Sequence, residues 1–241
     1  MKPLSYHLIG VEARYSCRSG IALAIDDLAL RNGHLNVVAG LNGSGKSTLL
    51  NVLAFLVQPT QGIVEFSGKP IAWERAELRE LRRCVTLVHQ DPFLFRGSVA
   101  SNVSYGPKAR GIRGCALQER VRECLELVGL PGFESRNAKR LSGGEARRVA
   151  LARALACDPE VVLLDEPLAY VDELSTKIIE RLLVALVDRE ILLVVSSHDA
   201  TLGRRLKGRT IRLREGRLVQ HPERPATYAA KSLESSAHAI V

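Results

Sequence analysis

The stretch Gly40-Leu-Asn-Gly-Ser-Gly-Lys-Ser-Thr48 packs three glycines, a lysine and three hydroxyl side chains into nine residues. Residues of these types at this spacing can hold phosphate. Gly40, Gly43 and Gly45 tolerate positive φ and let backbone approach a ligand closely. Successive N–H groups then line one concavity, and a following helix adds the positive end of its dipole. Lys46 supplies a point charge for the β- and γ-phosphates, and Ser47 offers the hard oxygen that Mg²⁺ prefers. Asn42, Ser44 and Thr48 complete the loop. Its flanks suit this use, because strand, glycine-rich turn and helix is the context that the motif GxxxxGK[ST] requires. Residues 34–39 read as a short apolar strand, and residues 48–56 carry apolar side chains at helical spacing.

Three further stretches bear chemistry. Val161-Val-Leu-Leu-Asp165-Glu166-Pro167 is an apolar run ending in two acids. Carboxylates at the carboxyl edge of a central strand lie where open α/β sheets bind ligands. Asp165 is placed to hold Mg²⁺ through water. Glu166 is placed to polarise an attacking water, since phosphoryl transfer is mostly positioning and charge stabilisation. Standing alone, the two would read as solvated acids at a strand end. Leu141-Ser-Gly-Gly-Glu145 precedes a basic amphipathic helix, so Ser142, Gly143 and Gly144 could form a second anion site or a plain helix cap. One nucleotide has only one γ-phosphate, so a second phosphate site suggests two chains head to tail, each completing the other's site. His198 follows the apolar run 191–195 and could reach the same sheet edge.

The elements that must position these residues are legible in outline. Strands are expected at 6–13, 21–30, 62–67, 85–89, 161–164 and 191–196, with a last hairpin, 210–213 and 217–220, around Glu215-Gly216. Helices are expected at 117–128, 144–157 and 174–188. Alternation of strands with helices argues for a mostly parallel sheet, interrupted by a helical stretch from about residue 91 to 159. The last twenty residues, 222–241, are rich in Ala, Ser and Glu and read as a loose tail.

Composition narrows the class. The chain has 241 residues, 46% hydrophobic and 25% charged, as in ordinary globular proteins. No apolar run approaches the roughly 18 residues that span a bilayer, and the first residues lack the apolar core of a secretion signal. Five scattered cysteines, Cys17, Cys84, Cys115, Cys124 and Cys157, form no CxxC pair and read as reduced thiols. A cytoplasmic protein is expected. The net charge of +8 concentrates in residues 104–153, with eleven Lys or Arg against five Glu, and in residues 203–217, with seven against one. Such patches suit anionic partners or a solvated surface. Aromatics make up only 5% and do not interleave with the basic residues, which argues against a stacking platform for nucleic acid.

Taken together and in this order, the motifs resemble those of the ATP-binding cassette ATPases over residues 4–220. That resemblance implies a P-loop NTPase (RecA-like) α/β fold with a mostly parallel sheet, an N-terminal antiparallel β subdomain and an inserted helical subdomain. It implies a single cassette over residues 1–221, ATP and Mg²⁺ as ligands, and ATP hydrolysis coupled to transport. Tyr15, 31 residues before Lys46, matches the aromatic that stacks on adenine. Gln90 matches the glutamine that senses Mg²⁺ and water, so Ser47, Gln90 and Asp165 are the expected metal-facing residues. Ser142, Gly143 and Gly144 would grip the γ-phosphate of the opposite subunit. Glu166 matches the catalytic base, Asp172 the aspartate across the interface, and His198 the switch histidine. The run Leu168-Ala-Tyr-Val-Asp172 departs from the family's usual small-residue run, which bears on the packing at Tyr170. Ala146 stands where many relatives carry glutamine.

One cassette without a membrane segment resembles the stand-alone subunit of a transporter. The implied partners are transmembrane permease subunits, a second copy of the chain and a substrate-binding protein, at the inner face of the cell membrane; nucleic acid is not among them. Residues 90–111 resemble cassettes of oxyanion importers of the tungstate and molybdate type. The alternatives are a cassette for another solute, such as phosphate, an amino acid, a metal or a lipid, in either direction, and a soluble ATPase that remodels a protein or nucleic-acid complex.

Overall fold

The computed structural model describes residues 4–15 and 20–220. The expected tail and Cys17 lie outside these residues. The chain begins with an antiparallel pair, β1 (Ser5–Arg14) and β2 (Ile21–Arg31), followed by β3 (Leu35–Ala39) and α1 (Lys46–Leu53). Next come β4 (Gln61–Phe66), β5 (Lys69–Pro70), α2 (Arg75–Cys84) and β6 (Val85–Val88). A helical stretch follows: α3 (Val99–Val103), α4 (Tyr105–Ala109), α5 (Gly114–Leu127) and α6 (Gly143–Leu155). The chain then returns to the sheet with β7 (Val161–Leu164), α7 (Glu173–Asp188), β8 (Leu192–Ser197), α8 (Leu202–Arg205), β9 (Arg209–Arg214) and β10 (Arg217–Gln220).

All the strands join one sheet in the order β5-β4-β1-β2-β10-β9-β3-β8-β7-β6. Its two halves differ in direction. From β9 to β6 the neighbours are parallel, which is the core expected around the loop at 40–48. From β5 to β2 they are antiparallel, and the halves meet where Arg217 pairs with Ala24.

The apolar runs explain the parallel half. Along β7, Val161 and Leu163 pack into one core while Val162 and Leu164 pack into the other, and β8 alternates in the same way. A strand buried on both faces must be apolar at every position, which is why residues 161–164 show no alternation. One core lies against α3, α5, α6 and α7. The other surrounds α1, which the antiparallel half wraps. Tyr6 anchors that wrap: its ring lies 4.9 Å from Phe66 and 5.9 Å from Phe55. Its buried hydroxyl donates to Leu53 O at 2.8 Å, at the C-terminal end of α1. Tyr6→Phe leaves that carbonyl without its partner and is expected to cost about 1 kcal/mol of stability, read as a lowered urea midpoint at unchanged slope.

Two helices went unforeseen. α2 buries none of its residues fully; its apolar face, Leu78 and Leu81 partly buried against the core around α1, is too short to stand out among its charged neighbours. α8 has only four residues, too short for a period. The helix after the glycine-rich loop starts at Lys46, earlier than the apolar spacing suggests, because Gly45 rather than an apolar residue marks its start.

Candidate functional site

The register of the parallel strands aligns their carboxyl ends. Ala39 lies opposite Ser197, Leu164 opposite Val195, and Val88 opposite Leu164. The segments that follow β3, β6, β7 and β8 therefore meet at one edge, and they carry the glycine-rich loop, Gln90, Asp165-Glu166 and His198. A cleft of about 650 Å³ opens there, lined by Tyr15, Asn42, Gly43, Gly45, Lys46, Ser47, Thr48, Gln90, Asp165 and Glu166. The expected residues of the first half-site are thus brought together.

Gly45 caps α1 with φ +99°, in the left-handed region that L side chains rarely adopt. Lys46 is only 6% exposed and curls back over its own loop. Its Nζ donates to Gly40 O at 2.7 Å and Leu41 O at 3.1 Å, and stands 3.2 Å from Glu166 Oε1. Glu166 is equally buried, at 6%, and sits at φ +49°. A side chain there costs roughly 1–2 kcal/mol against right-handed backbone, so neighbours must hold it. Its N–H donates to Ser196 Oγ at 2.8 Å, and Ser196 Oγ donates to Asp165 Oδ1 at 2.6 Å. Its Oε2 lies 2.8 Å from His198 Nδ1 and accepts from His198 N at 3.3 Å. A carboxylate only accepts, so Nδ1 carries the proton in that contact. Tyr15 donates to Thr48 Oγ1 at 3.4 Å, which ties the expected stacking residue to α1.

The donor set fits a magnesium nucleotide. Backbone N–H groups, the α1 N-terminus and Lys46 face anionic oxygens, while Ser47 and Asp165 offer the hard oxygens that Mg²⁺ takes. Two atoms of the site, Ser44 Oγ and Glu166 Oε1, are buried without a hydrogen-bond partner. For Glu166 Oε1 the ion pair with Lys46 is the compensation.

The remaining expected residues assemble elsewhere. Ser142 caps α6: its Oγ accepts from Glu145 N at 3.2 Å, and its N–H donates to Glu145 Oε2 at 2.8 Å, a reciprocal capping box. That backbone N–H holds the Glu145 carboxyl below its usual range. Asp172 caps α7, accepting from Ser175 N at 2.8 Å and from Ser175 Oγ at 2.7 Å. The Ser175 backbone N–H likewise lowers the Asp172 carboxyl. A Cβ on Gly144 would lie 2.7 Å from Ser175 Oγ and 2.8 Å from Asp172 Oδ2, so any larger residue there would have to displace the Asp172–Ser175 contact at the start of α7. None of Ser142, Gly143, Gly144 and Asp172 lines the cleft at Lys46. Within one chain the second half-site is separate from the first.

Four residues escaped the sequence reading as parts of a site. Ser196 holds Asp165 and Glu166 in place, although only its neighbour His198 drew attention. Glu215 and Gly216, read simply as a hairpin turn, line the cleft, and Gly216 N donates to Ser44 O at 3.0 Å. Arg147, one of several bases on α6, is buried. It donates through Nη1 to Ala169 O and through Nη2 to Gln90 O at 2.7 Å, joining α6 to the segments after both β6 and β7. No local signal marked it, because α6 is buried on most sides, Arg148 beside it included, and no polar face sets Arg147 apart. Arg147→Ala is expected to remove about 2–3 kcal/mol of stability, as two carbonyls lose a charged donor. Urea unfolding monitored by circular dichroism measures this.

The protein-family model described as "ABC transporter" matches residues 23–169. The chain is 35% identical over 214 residues to the energy-coupling factor transporter ATP-binding protein EcfA2 of Methanospirillum hungatei. That match covers 88% of this chain and 54% of the relative, so the chain spans about half the length of that protein. It is 37% identical to the phosphate import ATP-binding protein PstB 2 of Natronomonas pharaonis, over 80% of this chain and 72% of that one. Among solved structures, a dimeric ATP-binding cassette in a post-hydrolysis state, bound to ADP and Pi, superposes with a TM-score of 0.80 at 31% identity. There the match covers 91% of this chain and 99% of the other.

Proposed function

Since the chain belongs to the ABC transporter family, we propose that it is the ATP-hydrolysing cassette of a membrane transporter, working as a head-to-tail pair of copies. The observation that carries this reading is the buried ion pair of Lys46 and Glu166 at the carboxyl edge of the parallel sheet, with the exposed His198 held against Glu166. The capped helix starts at Ser142 and Asp172 stand outside that cleft. A second chain, reversed, supplies what each cleft lacks.

In this mechanism Lys46 exchanges its loop carbonyls for the β- and γ-phosphates, and the N–H groups of residues 43–48 take the remaining oxygens. Ser47, Asp165 and Gln90 would hold Mg²⁺ or its waters, and the ion would supply charge neutralisation for the phosphates. Release from Lys46 frees the Glu166 carboxylate to orient the attacking water and accept its proton, while His198 keeps that carboxylate aligned. Tyr15 stacks on the base. The partner's Ser142, Gly143 and Gly144 close over the γ-phosphate, with the partner's Asp172 fixing their approach. Closure is favoured with ATP because only the closed pair makes those contacts, and hydrolysis releases it.

Residues 1–221 act as one cassette, with residues 91–159 as the helical part that faces the permease. The exposed rings of Phe93, Phe95 and Tyr105 pack in series after Gln90, Phe95 against each of the other two, and suit an apolar element of a transmembrane partner. Among the described residues no helix is long and apolar enough to cross a membrane. The partners in this reading are permease subunits, which the cassette meets at the inner face of the cell membrane. An oxyanion such as tungstate or molybdate is the finer reading for the solute, and a substrate-binding protein would deliver it. A phosphate import relative and an energy-coupling factor relative stand at nearly equal identity, so identity does not choose the solute.

Two measurements test the reading: Mg²⁺-dependent phosphate release from ATP, and a pull-down of the tagged chain from detergent-solubilised native membranes. Turnover together with recovery of a polytopic membrane protein is expected. Absence of turnover, or recovery of ribosomes, DNA or soluble proteins alone, overturns it.

A further inference from the structure

Two large apolar side chains stand out in water, one at the rim of each half-site. Leu41, between Gly40 and Asn42 in the phosphate loop, is 80% exposed. Tyr170, between Glu166 and Asp172, is 90% exposed and holds φ +56°, a conformation in which glycine or asparagine is the usual residue. Among the described residues, little of the chain covers the Tyr170 ring on this strained backbone.

The surroundings of the two are complementary. Leu41 borders a second cleft of about 680 Å³, lined also by Leu213, Val219, Arg212 and Arg214. Two exposed arginines there face one acid, Glu215. Tyr170 is followed by the exposed acids Asp172 and Glu173. One rim is apolar and basic, the other apolar and acidic.

We propose that Tyr170 of each copy enters the cleft beside the partner's Leu41, its ring against the exposed Leu41 and Val219 and its acidic neighbours toward Arg212 and Arg214. The placement rests on the head-to-tail reading. Gly144 is packed against Asp172, so Tyr170 travels with Ser142 and Gly144. When those residues approach the partner's phosphate loop, Tyr170 arrives at the exposed residue of that same loop. The apolar and cation–π contacts would make Tyr170 an anchor of the pair.

The test is made in the Glu166→Gln background with saturating MgATP, the monomer–dimer constant being read by sedimentation velocity. Tyr170→Ser is expected to weaken dimerisation by at least ~10-fold, and Leu41→Ser comparably. Because both truncations remove one contact, the double variant is expected to be little worse than either single one. Both positions are exposed, so the fold is retained, and binding of a fluorescent ATP analogue to the Tyr170→Ser monomer stays within ~2-fold of the parent's. A Tyr170→Ser dimer as tight as its parent overturns the contact while leaving the head-to-tail pair standing. Fully additive losses overturn the pairing of Tyr170 with Leu41. A Glu166→Gln parent that stays monomeric in ATP overturns the head-to-tail reading, and the contact falls with it.

Discussion

Replacing Glu166 by Gln is expected to lower ATP turnover by ~10²–10⁴-fold, the contribution of a positioned general base, and to convert the chain into an ATP-bound dimer. The amide keeps the shape of a side chain that is 6% exposed, so the pocket stays filled. It cannot accept the proton of water. It also removes a negative charge from beside the site of the γ-phosphate, and Lys46, deprived of its carboxylate partner 3.2 Å away, gains more from meeting phosphate. Affinity for ATP therefore rises as turnover falls, and the closed pair accumulates. Phosphate-release assays read the first effect, and size-exclusion light scattering with and without MgATP reads the second. Turnover within a few-fold of the parent rules out Glu166 as the base, and a monomer in ATP rules out the sandwich.

Lys46→Ala is expected to act twice. Without nucleotide it strands the Glu166 carboxylate in a buried position. Breaking a buried pair from one side costs about 3–5 kcal/mol, because the remaining charge is uncompensated. With nucleotide it removes the cation for the phosphates, a charge-assisted contact of about 2–3 kcal/mol, or ~10²-fold in affinity. The two effects separate in a double variant. Lys46→Ala with Glu166→Gln should recover most of the lost urea stability, since no charge remains to strand, and should still bind ATP poorly. If the double variant is as unstable as Lys46→Ala, the ion pair is not what stabilises the site.

The clearest sequence signals came from local chemistry. The glycine-rich loop, Asp165-Glu166 and the cap at Ser142 are each defined by neighbours in sequence, and the structure places each at a strand or helix end where such residues act. Which of them meet was not local. Lys46 reaches Glu166 only because β8 separates β3 from β7 in the sheet, and no periodicity encodes strand order. Ser196 and Arg147 were missed for the same reason, since each matters through a partner distant in sequence, Asp165 or Gln90. The second anion site at Ser142 posed a puzzle that the fold sharpened: its exclusion from the cleft is a matter of where α6 lies, which only packing decides. α2 was overlooked because its apolar face is the short pair Leu78 and Leu81, partly buried against one core and set among charged residues.

The placement of β3 between β8 and β9 also bears on how the chain matures during synthesis. Leu35 pairs with Leu193, and Asn36 with Arg209, so the strand that presents the phosphate loop is made long before either neighbour. At ordinary rates of ~5–20 residues per second, its flanks follow ~8–30 s later. Through that interval an apolar strand has no sheet to join, and the loop after it has no Glu166 to face. Pairings of such sequence separation form slowly and expose unpaired edges. The phosphate loop is thus among the first functional segments to be translated and among the last to become a site, and a nascent chain halted before residue 193 would hold the motif without the capacity to use it.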